Sequence, residues 1–143
     1  MRIILMAMAL LWGSPVAADV AAQVSIDRPF ARSALQLQRN TTVYMEVTNH
    51  GASAAIVSAS SPAADVVELH THIEDRGVLR MRRIPRIELP NGKPVDLRPG
   101  GLHVMLIGLR RDLNVGEQIA VTLQFSDGSQ RDLKVPVHRV MRP

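Results

Sequence analysis

Apolar residues along most of this chain fall in short runs rich in valine, isoleucine, leucine and threonine, with polar residues alternating between them at a period of two. That period puts alternate side chains on opposite faces of an extended strand. The clearest runs are 42–48, 66–73, 102–109, 119–125 and 133–137. Turn-forming clusters punctuate them: Asn49-His50-Gly51, Ser61-Pro62, Asp75-Arg76-Gly77, Pro90-Asn91-Gly92, Pro99-Gly100-Gly101, Asn114-Val115-Gly116 and Ser126-Asp127-Gly128. Many short strands with turn signals this close together predict an all-β sandwich. Asn91-Gly92 and Asp127-Gly128 read as the clearest hairpin turns, since Asn, Asp and Gly tolerate the positive φ such turns need. Pro136 has no N–H to give to a ladder, which predicts that the last strand lies at a sheet edge. The one place for a short helix is 110–113.

The first residues follow a different pattern. Arg2 precedes an apolar run over 3–12, and Val16-Ala17-Ala18 supplies small residues before Asp19. This is the layout of a secretory signal peptide cleaved after Ala18. The run is too short to cross a bilayer, which takes roughly 20 apolar residues, so no stable membrane insertion is expected once 1–18 is removed. What remains, 19–143, has 143 − 18 = 125 residues. That length is one ordinary domain, with enough interior to hold itself together without disulfides.

Charge changes the picture little. The chain has 17 basic and 13 acidic residues, and loss of Arg2 leaves 16 − 13 = +3. Five of the arginines, Arg76, Arg80, Arg82, Arg83 and Arg86, crowd one stretch. A basic cluster invites a nucleic-acid reading. Here Arg80 and Arg82 alternate with Leu79 and Met81 as the outward side chains of a strand would, and the chain is exported, so no nucleic acid is expected.

The candidate chemistry lies in four side chains, His70, Met81, His103 and Met105, in a chain without cysteine. Imidazole and thioether together suit Cu(I), a soft ion, whereas Mg or Ca would call for carboxylates. In an oxidising compartment paired thiols are liable to close as a disulfide, while a thioether cannot. His103 and Met105 stand two apart on one strand and so face the same way, a pincer on one ion. His70 and Met81 flank the Asp75-Arg76-Gly77 turn and would come from a neighbouring hairpin. His72 shares a face with His70 by the same period; it is a candidate auxiliary ligand or supporting group, with an exposed strand histidine the favoured reading. His50 belongs in a solvated turn, and Met45, in phase with Val43 and Val47, in the core. His138 and Met141 lie in the basic tail and are left out of the site. No nucleophile motif occurs and no carboxylate falls within the four-ligand set, so the chain is not expected to be an enzyme.

The ligands and the words around them resemble the periplasmic copper chaperone family PCu(A)C. Ten residues separate His70 from Met81 and twenty-one separate Met81 from His103, with one more between His103 and Met105. The flanking words match too: Val66-Val67-Glu68-Leu69-His70, Gly77-Val78-Leu79-Arg80-Met81-Arg82, Pro99-Gly100-Gly101-Leu102-His103-Val104-Met105-Leu106 and Val121-Thr122-Leu123-Gln124-Phe125. The resemblance implies a cupredoxin-like β-sandwich over 19–143 that binds Cu(I) through His70, Met81, His103 and Met105. It implies a monomer in the periplasm that delivers copper toward cytochrome oxidase assembly, to a thiol-bearing acceptor such as an oxidase assembly protein or subunit. Two other readings stand beside it. One is an exported structural or adhesion sandwich with no metal site. The other is a copper redox protein, which the lack of a cysteine ligand for a blue-copper site disfavours.

Overall fold

A computed structural model describes residues 18–35 and 37–139. Residues 1–17, which hold nearly all of the expected signal peptide, and Met141 of the tail lie outside the described residues. None of the described helices is long and apolar enough to cross a membrane. One short helix, α1 (Val20–Gln23), begins where the Asp19 carboxylate accepts a hydrogen bond from the Ala22 N–H at 2.9 Å, satisfying one of the helix's free donors. Strands follow: β1 (Val24–Arg32), β2 (Asn40–Asn49), β3 (Ala54–Ser60), β4 (Ala64–Asp75), β5 (Val78–Arg83), β6 (Ile87–Leu89), β7 (Pro94–Leu97), β8 (His103–Leu109), β9 (Gln118–Phe125) and β10 (Gln130–His138).

Period-two burial explains why these segments are strands. Val43, Met45 and Val47 on β2, with Ile119, Val121, Leu123 and Phe125 on β9, are each at most 3% exposed. A helix would scatter residues at that spacing around its circumference. One sheet has the order β5-β4-β8-β2-β1, with β7 also on β2; β1 then joins β10 in parallel, and β10-β9-β3-β6 complete the second. Along one edge of β2, Asn40 to Val43 pair with β8 and Met45 to Thr48 pair with β7. Val43, Leu69 and Val104 from the first sheet meet Ile56, Val121 and Phe125 from the second in a common core. The molecule is the expected all-β sandwich.

Four local expectations need correction. The Asp127-Gly128 turn does join paired strands, β9 and β10. Asn91-Gly92 does not, because β6 pairs with β3 while β7 pairs with β2. That turn carries the chain from one sheet to the other, and the Gly92 N–H bonds to Asn49 O at 2.6 Å. The last strand is not an edge either, since β10 lies between β9 and β1. The Val137 N–H donates to Glu117 on the β9 side at 2.8 Å. Pro136, its neighbour in an alternating strand, therefore turns its nitrogen toward β1, whose pairing begins only at Val137. Residues 110–113 form no helix, because Leu113 is fully buried and bridges to Ala34 in both directions, at 3.1 and 2.8 Å. Finally, Arg80 and Arg82 are not alone in facing out: every residue of β5 is exposed, because β5 is an outer strand that pairs with β4 alone among the described strands.

Candidate metal centre

The first sheet turns one face to the core and the other outward, and the chemistry is on the outward face. Along β8, Val104 and Leu106 point into the core while His103 and Met105 take the other face; along β4, Leu69 points in while Glu68, His70 and His72 do not. His70 lies opposite His103, and Glu68 opposite Met105. At the Asp75-Arg76-Gly77 turn, Arg76 and Gly77 both have positive φ, 53° and 79°, the pair of left-handed residues that a tight two-residue hairpin requires. That turn folds β5 along β4 and sets Met81 opposite His72 and Arg83 opposite His70. Opposed residues share a face. Met81, His70, His103 and Met105 therefore share one face of three adjacent strands, spread over about two strand spacings, roughly 10 Å, across the sheet and, from the level of Met105 to that of Met81, about four residues, roughly 13 Å, along it.

Hydrogen bonds assign the tautomers of the two histidines. The His70 Nε2 lies 2.8 Å from Glu68 Oε2 and donates to that carboxylate, so its lone pair is on Nδ1. The His103 Nδ1 donates to the Gly101 carbonyl at 3.0 Å, so its lone pair is on Nε2. Gly100, at φ 81°, and the Gly101 N–H to Arg98 O bond at 3.0 Å shape the turn that presents this carbonyl. Metal-binding histidines are usually held this way, with the second nitrogen donating to a carboxylate or a backbone carbonyl.

The two lone pairs are buried and have no partner. The buried side-chain polar atoms lacking a hydrogen bond among the described residues are Thr42 Oγ1, His70 Nδ1 and His103 Nε2, and Thr42 lies opposite Met105 on β2. All three belong to one face. Each such orphan costs about 1–3 kcal/mol, so three together call for an occupant. Burial pushes the His103 imidazole below its ordinary value of 6.5; the Gly101 hydrogen bond opposes this, and the nearby charges of His72, His70 and Arg32 reinforce it. A neutral imidazole is the form that binds metal. Among the described residues no three histidine, aspartate or glutamate side chains close on one point as placed, and the two methionines of this face offer sulfur beside the two imidazoles. The residues present fit a soft ion.

Exposure grades across the centre. His103 is fully buried, with the Tyr44 ring packed edge-on 6.2 Å away and the Arg32 guanidinium 5.3 Å above Tyr44. His70 and Met105 are half-buried, and Met81 is 46% exposed. The centre thus opens to solvent on the Met81 side and closes at His103. Glu68 and Tyr44 escaped the sequence reading, although Glu68 is in phase with His70 and could have been found by its period of two. His72 was read as an exposed histidine but is half-buried, its ring centre 5.2 Å from that of His103. Met45 is core at 2% exposure. His50 is exposed, with its Nε2 2.9 Å from Ser25 Oγ. His138 stacks on Phe30 at 5.2 Å, and Phe30 in turn lies 5.4 Å from Tyr44.

The model of the LpqE-like family, described as "Putative lipoprotein LpqE-like", matches residues 24–137. The chain belongs to the LpqE-like, PCu(A)C family. It is 40% identical over 99 residues to the "Putative lipoprotein Lxx21020" of Leifsonia xyli, covering 68% of this chain and 60% of that protein. It thus spans about three fifths of that relative's length. Among solved structures it is similar to CuI-DR1885 from Deinococcus radiodurans, with 31% identity, a TM-score of 0.62 and coverage of 78% of this chain and 77% of that one. The copper-bound PCuAC domain from PmoF2 superposes with a TM-score of 0.70 over 82% of this chain and 94% of that one. At 24% identity, that likeness bears on the fold.

Proposed function

We propose that this chain is a periplasmic metallochaperone that holds one Cu(I) with His70, Met81, His103 and Met105 and delivers it toward the copper centres of cytochrome oxidase. The observation that carries the reading is the pair of buried, partnerless imidazole lone pairs on a face they share with two thioethers. Imidazole and thioether are the donors Cu(I) favours. The Cu(I)-bound form of DR1885, a relative at 31% identity, supports the choice of ion. The lipoprotein description of the family supports export.

The exposure gradient suits a carrier better than a store or an enzyme. His103 anchors from the buried side, with its orientation held by Gly101. His70 is oriented by Glu68. Met81, on the exposed hairpin, is the ligand that an incoming group meets first. A thiolate of an acceptor binds Cu(I) more strongly than a thioether does, so replacement begins at Met81 and ends with release from both histidines.

Cu(I) titration with X-ray absorption tests the site: one ion per chain with sulfur and nitrogen in its shell is expected, and a shell without sulfur removes the methionines. Gel filtration after mixing loaded protein with a reduced dithiol acceptor tests delivery. Copper that stays with this chain at modest thiol excess refutes transfer. Oxidase activity in a deletion strain at limiting copper tests the destination, and N-terminal sequencing of exported protein should begin at Asp19.

A further inference from the structure

The centre carries a third imidazole that the four-ligand set leaves unused. His72 lies on the same face as His70, directly opposite Met81 across the hairpin, half-buried, with its ring centre 5.2 Å from that of His103. Its Nδ1 is 3.4 Å from the Gly101 carbonyl, the acceptor that His103 Nδ1 engages at 3.0 Å. Turned that way, His72 has the same tautomer as His103, with its lone pair on Nε2. Among the described residues that nitrogen has no hydrogen-bond partner.

We propose that His72 enables this centre to hold Cu(II) as well as Cu(I), by placing a third nitrogen donor where Met81 otherwise supplies sulfur. This rests on the copper reading of the same face. Two imidazoles with two thioethers make a soft set suited to Cu(I), whereas Cu(II) favours nitrogen donors in a tetragonal arrangement. Because His72 and Met81 oppose each other, either can reach the outer side of an ion anchored on His70 and His103. As placed, the three rings do not close on one point. His72 has to turn toward His103, giving up only the long contact to Gly101, and its half-exposed position leaves room to do so. No electron transfer is involved, since the ion is held in the state in which it arrives.

The test compares wild type with His72→Met and His72→Gln, using Cu(I) and Cu(II) in parallel competition titrations on the full chain. The ratio of Cu(II) to Cu(I) affinity should fall at least about tenfold in both variants, the scale on which a lost supporting group weakens a metal site. Electron paramagnetic resonance of the Cu(II) form should show one coordinated nitrogen fewer than wild type. An unchanged ratio or nitrogen count, with Cu(I) binding intact, overturns this proposal alone. Cu(II) affinity that is lost in His138→Gln instead overturns it too. Failure of wild type to bind Cu(I) overturns the carrier reading on which it rests.

Discussion

Replacing His103 with leucine should separate stability from metal binding, and the two should move in opposite directions. His103 is fully buried with an unpartnered Nε2, so the folded apo protein bears the cost of one unsatisfied polar atom, about 1–3 kcal/mol. Leucine has a similar volume and leaves little cavity. It forfeits the Nδ1 bond to Gly101, about 0.5–1.5 kcal/mol, and that carbonyl keeps the His72 Nδ1 at 3.4 Å. The balance is an apo variant more stable than wild type by about 1 kcal/mol. With Cu(I) at roughly a thousand times its Kd, wild type should gain about 4 kcal/mol and the variant almost nothing.

Urea unfolding followed by circular dichroism, with and without Cu(I) under reducing conditions, measures both quantities. The pH adds a third arm. Burial lowers the His103 value in the folded state below 6.5, so between that lowered value and 6.5 the unfolded chain binds more protons than the folded one. Apo stability should therefore fall as pH drops through this window, and His103→Leu should remove that part of the slope. An apo variant destabilised by more than about 1 kcal/mol would mean that Nε2 is satisfied in solution and that no orphaned donor site awaits an ion.

Glu68→Gln keeps an acceptor for His70 Nε2–H but removes the charge that strengthens it, so Cu(I) affinity should drop about tenfold by chelator competition; no change would show that Glu68 does not support the ligand. Met105→Ala should lower Cu(I) affinity while costing no more than about 2 kcal/mol of apo stability, because the side chain is only half-buried. A larger loss in urea unfolding would make Met105 a packing residue first. Chelation should leave the β-type circular dichroism intact, since the core is built from residues of both sheets and uses none of the four ligands. Unfolding on chelation would make the metal structural.

Much of this protein is decided locally. Period-two alternation placed the strands, because one face of each must be dry: β2, β9 and β10 lie within a few residues of 42–48, 119–125 and 133–137. The facing of His103 with Met105, and of His70 with His72, follows from the same alternation. Pairing between strands is a different matter, since it depends on which distant segments meet. Sequence therefore misplaced Pro136, which is not at an edge because β1 arrives beside β10, and Asn91-Gly92, which is no hairpin because β6 and β7 pair in different sheets. Register is likewise tertiary. Only the β4–β8 and β4–β5 ladders put His70 opposite His103 and Met81 opposite His72, and only burial against Tyr44 strands the His103 lone pair. The sequence alone supplied the ligand types and the strand faces they occupy. Their meeting on one half-dry surface, together with Glu68 and a third histidine, was decided by long-range strand pairing, because hydrogen-bonded neighbours are set by the global topology and not by nearby residues.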